Sequence, residues 1–170
     1  MVVDAAIALA PVDDGDAFRA FVGRVEPSLR RALVAAYGAD LGREAVADAL
    51  AWAWHHWTEV QAMTNPGGYL WRVGQTSVRR ATRRRKHEVV RPVREIELVA
   101  VDGTATPEPR LAAALAALSP QQRAAVVLVH GHGCTLDAAA ETLGCSQSTI
   151  RNHIARALKR LRAALEGDDG

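Results

Sequence analysis

Residues 119–165, SPQQRAAVVLVHGHGCTLDAAAETLGCSQSTIRNHIARALKRLRAAL, constrain this chain more than any other stretch. Three helix patterns follow one another there, and only Gly144-Cys145-Ser146 separates the second from the third. In the third, Ile150, Ile154, Leu158, Leu161 and Leu165 recur at steps of four, four, three and four. That spacing lays one apolar stripe along one helix. Ser148, Asn152, Arg156, Lys159 and Arg160 lie round the back of it. A helix that is apolar on one side, basic and amide-bearing on the other, and set behind a tight turn is the pattern of a helix-turn-helix. The second helix of that motif enters a DNA major groove.

The boundaries of these helices are written in side-chain chemistry. Ser119, Pro120 and Gln122 form a capping box with proline at the first helical position. That helix should end near Gly131. Thr135 caps the next, which buries Leu136, Ala139, Ala140 and Leu143, and Ser146 caps the last. An alanine-rich helix, Arg110 to Leu118, precedes them.

The first half is also helical in period. Phe18, Val22, Val25, Leu29, Leu33 and Tyr37 recur at helical spacing, with Pro27 inside the pattern. A kink or two abutting helices is expected there. A second helix is expected from about Arg43 to Trp57, with Val46, Leu50, Trp54 and Trp57 on one face and Trp52 elsewhere. Thr58 to Thr64 reads as a loop. Asn65-Pro66 supplies a cap and a first-turn proline for a third helix ending near Lys86, with Leu70, Val73, Ser77 and Ala81 inward. The expected fold is all-α: two small helical domains joined by a linker. Residues 1–12 form a tail, 13–86 the first domain and 87–109 the linker. Residues 110–166 form the second domain and 167–170 a frayed end.

Charge sharpens the function class. The net charge is only +2, yet Arg79, Arg80, Arg83, Arg84, Arg85 and Lys86 place six cations in eight residues. A second basic run lies in Arg151 to Arg162. Like charges in one helix repel, and a phosphate backbone would relieve that while releasing counterions. Trp52, Trp54, Trp57, Tyr69 and Trp71 cluster nearby, and aromatic faces hold unpaired bases by stacking. No apolar run approaches the roughly 18 residues of a membrane span. Two cysteines and no basic leader ahead of the short apolar start point to a reduced, cytoplasmic setting.

No catalytic constellation is visible, so no enzyme activity and no cofactor are expected. Gly67-Gly68 lacks the lysine and serine of a phosphate loop. His130, His132, Cys134 and Cys145 offer soft ligands, but the paired spacing of a zinc site is missing, and they read as loop residues.

The order of parts resembles a bacterial RNA polymerase sigma factor of the extracytoplasmic-function class, in the sigma-70 family. Residues 119–165 are similar to its fourth conserved region almost position by position. FRAFVGRVEPSLRRAL, REAVADALAWAWHHW and NPGGYLWRVGQTSVRRATRRRK resemble the helices of its second region. The resemblance implies several roles. Glu44, Asp48 and Trp52 would bind core polymerase. Tyr69, Trp71, Arg72, Arg79, Arg80, Arg83 and Arg84 would melt and hold the minus-ten box. Gln147, Ser148, Arg151, Asn152, Arg156, Lys159 and Arg160 would read the minus-thirty-five box. The implied partners are core RNA polymerase, promoter DNA and an anti-sigma protein. The sequence departs from the family at Ala47, where a glutamine is common, and at Gln75-Thr76, where Arg-Asn is common.

The rival reading is a stand-alone helix-turn-helix regulator of the quorum-sensing response type. It requires a ligand-binding or phosphorylatable α/β module ahead of the DNA-binding helices.

Overall fold

A computed structural model of the protein describes residues 14–87 and 108–166. The expected tails, 1–12 and 167–170, and nearly all of the expected 87–109 linker lie outside these residues. Helix α1 spans Asp14–Tyr37, α2 Ala39–His55, α3 Trp57–Gln61 and α4 Pro66–His87. After residue 108 come α5 Pro109–Ala116, α6 Pro120–Val126, α7 Leu136–Leu143 and α8 Gln147–Glu166. A π-helical turn, Val127–Gly131, extends α6. Every regular element among the described residues is helical.

Pro27 does not divide the first helix: α1 runs unbroken for 24 residues. Proline removes one backbone bond, and Leu29, Ala32, Leu33 and Ala36 bury immediately beyond it. The turn after α1 is tighter than Tyr37-to-Asp40 suggested. Gly38, at φ 84°, makes the reversal alone, and α2 starts at Ala39 rather than near Arg43.

The packing face of α2 differs from the expected tryptophan face. Ala45, Val46, Ala49 and Ala53 are buried, whereas Trp54 is 48% exposed. The cause is how closely α1 and α2 approach. A methyl at Gly42 would lie 2.6 Å from the Val34 Cα, so only small side chains fit along the line through Gly42, Ala45, Ala49 and Ala53. Trp54 and Trp57 are displaced to the edge, where both pack edge-on against Phe18 at 4.9 and 5.2 Å. Part of the expected loop 58–64 is the short α3, whose Val60 is fully buried.

In α4 the buried positions are Leu70, Trp71 and Val78, with Gly74 against Leu33. Val73, Ser77 and Ala81, expected inward, are half-buried. A cap from Asn65 Oδ1 to the Gly68 N–H, 2.9 Å, starts this helix as its sequence indicated.

The caps of the second half form as the sequence indicated. Ser119 and Gln122 make the reciprocal capping box, a device of about 1 kcal/mol. Thr135 Oγ1 accepts from Ala138 N at 3.1 Å. Buried side chains from α1–α4 and from α5–α8 belong to one contiguous cluster, because α1 packs on α6 and α4 on α7. Its fully buried large residues, among them Leu29, Leu33, Leu70, Leu128 and Ile150, each contribute about 2–3 kcal/mol through burial.

Candidate nucleic-acid interface

The helix-turn-helix is built from α7, a three-residue turn and α8. Gly144 ends α7 in the left-handed region at φ 61°. The Cys145 N–H then reaches back to the Ala140 carbonyl at 3.0 Å, closing a Schellman-type turn. Ser146 Oγ accepts from Thr149 N at 3.2 Å and caps α8. These bonds fix the angle at which α8 leaves the turn.

Along α8, Ile150, Ile154, Ala157 and Leu161 are buried, and Leu158 and Leu165 are half-buried. The predicted stripe is therefore the packing face. Ser148, Arg151, Asn152, Arg156, Lys159 and Arg160 are all exposed. Ala155, exposed among them, was not singled out from the sequence. It leaves space for the backbone to approach a groove, and a methyl there suits a thymine methyl. Gln147 is held differently. Its amide donates to Asp137 on α7, and its carbonyl accepts from Arg151 at 3.2 Å. Arg160 extends back toward Gln122 of α6, 3.5 Å away.

Arg and Asn on one exposed face at the start of a capped helix can bond base edges in pairs, and the first-turn N–H groups can meet a phosphate.

His153 faces away from this surface. With Leu143 and Cys145 it lines a cavity of about 240 Å³ whose opposite wall is Trp71, Arg72 and Gln75 of α4. Burial, reinforced by Arg156, holds the His153 pKa below its ordinary value. Burial also raises the Cys145 thiol.

In the first half, Arg72, Arg79, Arg80, Arg83 and Arg84 are exposed on α4. Tyr69 is 38% exposed, but Trp71 is only 3% exposed. In this arrangement Tyr69 can stack on a base and Trp71 cannot. Trp71 packs beside Tyr37, with ring centres 6.3 Å apart.

Glu44 and Asp48 are exposed and Trp52 is half-buried, one turn apart along α2. The structure joins this stripe to α4. Ser77 donates to the Asp48 carboxylate, Arg85 meets Glu44 at 3.4 Å, and Trp52 lies against Tyr69 at 5.0 Å. Two sets that the sequence left separate thus share one surface.

Arg123 was missed. It is 2% exposed, and its guanidinium donates to the carbonyls of Leu115, Ala116 and Leu118 at the end of α5. It also donates to Ala36 near the end of α1, at 2.9 Å. Burial lowers its pKa, and Tyr37 partly opposes that shift. The signal was a lone cation ahead of the apolar run AAVVLV.

No group of three or more potential metal ligands comes together among the described residues, His130, His132, Cys134 and Cys145 included. Nor is any described helix long and apolar enough to cross a membrane. The α/β module required by the stand-alone regulator finds no counterpart in residues 14–87, which are helical.

A helix-turn-helix with an exposed basic face, joined to a second arginine-rich helical unit, defines a two-part DNA-binding transcription factor. Residues 109–161 match the family described as Sigma-70, region 4. The chain is similar to the solved sigma factor RpoE in complex with the anti-sigma factor NepR from Bartonella quintana. The TM-score is 0.58 at 25% identity, over 90% of this chain and 99% of that one. It is also similar to CnrH in complex with the cytosolic domain of CnrY, with a TM-score of 0.55 at 25% identity over 91% of each chain. No curated protein matches in sequence comparison. The second half is a sigma-70 region 4 unit, and the whole chain has the architecture of the extracytoplasmic-function sigma factors.

Proposed function

We propose that this sigma factor recruits core RNA polymerase through Glu44, Asp48 and Trp52. It then reads a promoter with two separable modules, residues 13–86 and 110–166. Tyr69, Arg72, Arg79, Arg80, Arg83 and Arg84 hold the opened minus-ten region. Ser148, Arg151, Asn152, Arg156 and Lys159 engage the minus-thirty-five box, with Gln147 and Arg160 steadying that helix. Trp71, buried beside Tyr37, supports this set from within the fold rather than by touching a base. The protein contributes binding and strand opening, while the chemistry of RNA synthesis stays with the polymerase. It works in the cytoplasm without a cofactor or metal. Both solved neighbours are held by a second protein, and an inhibitory partner of the anti-sigma kind is proposed for this chain too.

The observation that carries the reading is the capped α8, with its apolar side on α6 and α7 and its Arg–Asn side exposed. Purified protein mixed with bacterial core polymerase should yield promoter-dependent transcripts. Absence of core binding overturns the proposal. Tight, sequence-specific duplex binding without polymerase would instead favour a stand-alone regulator.

A further inference from the structure

The cavity beneath Trp71 and His153 gathers polar side chains that have no partner among the described residues. Trp71 is 3% exposed, yet its indole N–H makes no hydrogen bond to any of them. Nor is that N–H sealed in the core, as the Trp57 N–H is, so it opens into the space that Trp71 lines. The side chains of Gln121 on α6 and His153 on α8 line the same space and are likewise without a hydrogen bond to another described group. Gln75 differs, because it bonds the Tyr37 side chain. Buried polar groups are nearly always paired, and a cluster that is not paired within the fold calls for a partner from outside it.

The lining defines the chemistry of that partner. Arg72, exposed at the rim, contributes a full positive charge, and no carboxylate lines the space among the described residues. The indole N–H and the guanidinium can only donate, and Gln121 can turn its amide N–H inward. Donors grouped with a cation, and with no acid among them, select an anion. The rest of the lining is flat or apolar: Leu143, the His153 imidazole and the Trp71 ring. Burial and Arg156 hold the His153 pKa below its ordinary value, so near neutral pH this ring is an uncharged face. Size narrows the choice further. A cavity of about 150 Å³ holds benzene, and this one is about 240 Å³. That is room for one six-membered ring and a carboxylate, and too little for a nucleotide.

We propose that this cavity binds a monocyclic aromatic carboxylate. The carboxylate accepts from the Trp71 N–H, Arg72 and Gln121, and the ring packs against Leu143 and His153. The consequence of binding rests on the promoter reading given above, in which Arg72 is one of the cations that hold the minus-ten region. A guanidinium paired with a carboxylate is withdrawn from phosphate, because the same planar fork serves both. Ligand and opened promoter therefore compete for Arg72, and a small aromatic acid tunes promoter affinity through one side chain.

Benzoate is the probe, with benzamide as the same ring without the charge and inorganic phosphate as a charge without the ring. Calorimetry on the full chain should give benzoate a Kd on the order of 0.1–1 mM and the other two a Kd roughly tenfold weaker or worse. Gln121→Glu is nearly isosteric, and a carboxylate at the second position of α6 suits that helix end, so the fold is kept. Its like charge should lower benzoate affinity about tenfold or more. In holoenzyme at matched ionic strength, saturating benzoate should weaken wild-type binding to promoter DNA about three- to tenfold, the worth of one phosphate contact. Gln121→Glu holoenzyme should not respond. Absence of saturable benzoate binding overturns the site, as do equal binding of benzamide or phosphate and binding that Gln121→Glu does not weaken. Benzoate binding with unchanged promoter affinity overturns the competition for Arg72. If benzoate binds the free chain but no form directs polymerase to a promoter, the site stands on the calorimetry and the sigma reading falls.

Discussion

The guanidinium of Arg123 and the carbonyl of Ala36, 87 positions apart in sequence, are joined at 2.9 Å. The same side chain caps the end of α5 through Leu115, Ala116 and Leu118. One buried cation therefore finishes a helix in its own half and reaches into the other.

Removing it should hurt both functions. Arg123→Ala leaves several carbonyls without their charged donor, each worth about 1–3 kcal/mol, and should lower unfolding free energy by roughly 3 kcal/mol or more. Arg123→Lys keeps the charge but not the planar fork and should recover only part. Urea denaturation followed by circular dichroism reads both. A loss under 1 kcal/mol for Arg123→Ala would refute the shared-cap account.

Base reading by α8 should be separable from polymerase binding. Arg156→Ala or Asn152→Ala should weaken minus-thirty-five recognition by about 1–3 kcal/mol and leave core affinity unchanged. Fluorescence anisotropy with promoter DNA and holoenzyme measures the first, and binding of core alone measures the second. Equal loss of both would mean the face is misassigned.

Arg83 and Arg84 on α4 should behave as phosphate contacts. Replacing either with Gln should weaken promoter binding similarly across sequences and reduce the salt slope by about one. A sequence-dependent loss would point to base contact instead.

Protonation of His153 should loosen the fold. Its native pKa lies below the ordinary 6.5 because of burial and Arg156, while Arg72 faces it across the cavity. The unfolded chain therefore binds this proton more readily than the native one. The histidine's contribution is complete above about pH 6.5 and declines as pH falls from there toward the native value. Thermal midpoints measured between about pH 5 and 8 should fall less at the acid end for His153→Gln than for wild type. Parallel profiles would show that His153 does not titrate this joint.

Much of the second half was legible because its signals are local. Ser119, Thr135 and Ser146 cap helices through bonds spanning three residues, and the α8 stripe is a periodicity within one helix. The helix-turn-helix face of the candidate site followed from that period. The first half resisted where packing overrode pattern. Trp54 sits at a spacing that reads as core, but the separation of α1 and α2 admits only alanines and glycine, so the indole stays outside. In α4, aromatics two residues apart took opposite roles: Tyr69 stayed out and Trp71 went in. The bonds of Arg123 to Ala36 and of Asn65 to Glu141 cross between the halves of the chain, and no local pattern records those.

The seam between α1 and α2 also has a mechanical consequence. Where a methyl at Gly42 would stand 2.6 Å from backbone, there is little empty space for compression to eliminate. Pressure unfolds proteins largely in proportion to the voids they lose. The α1–α2 pair should accordingly be the last part of this molecule to yield under hydrostatic load.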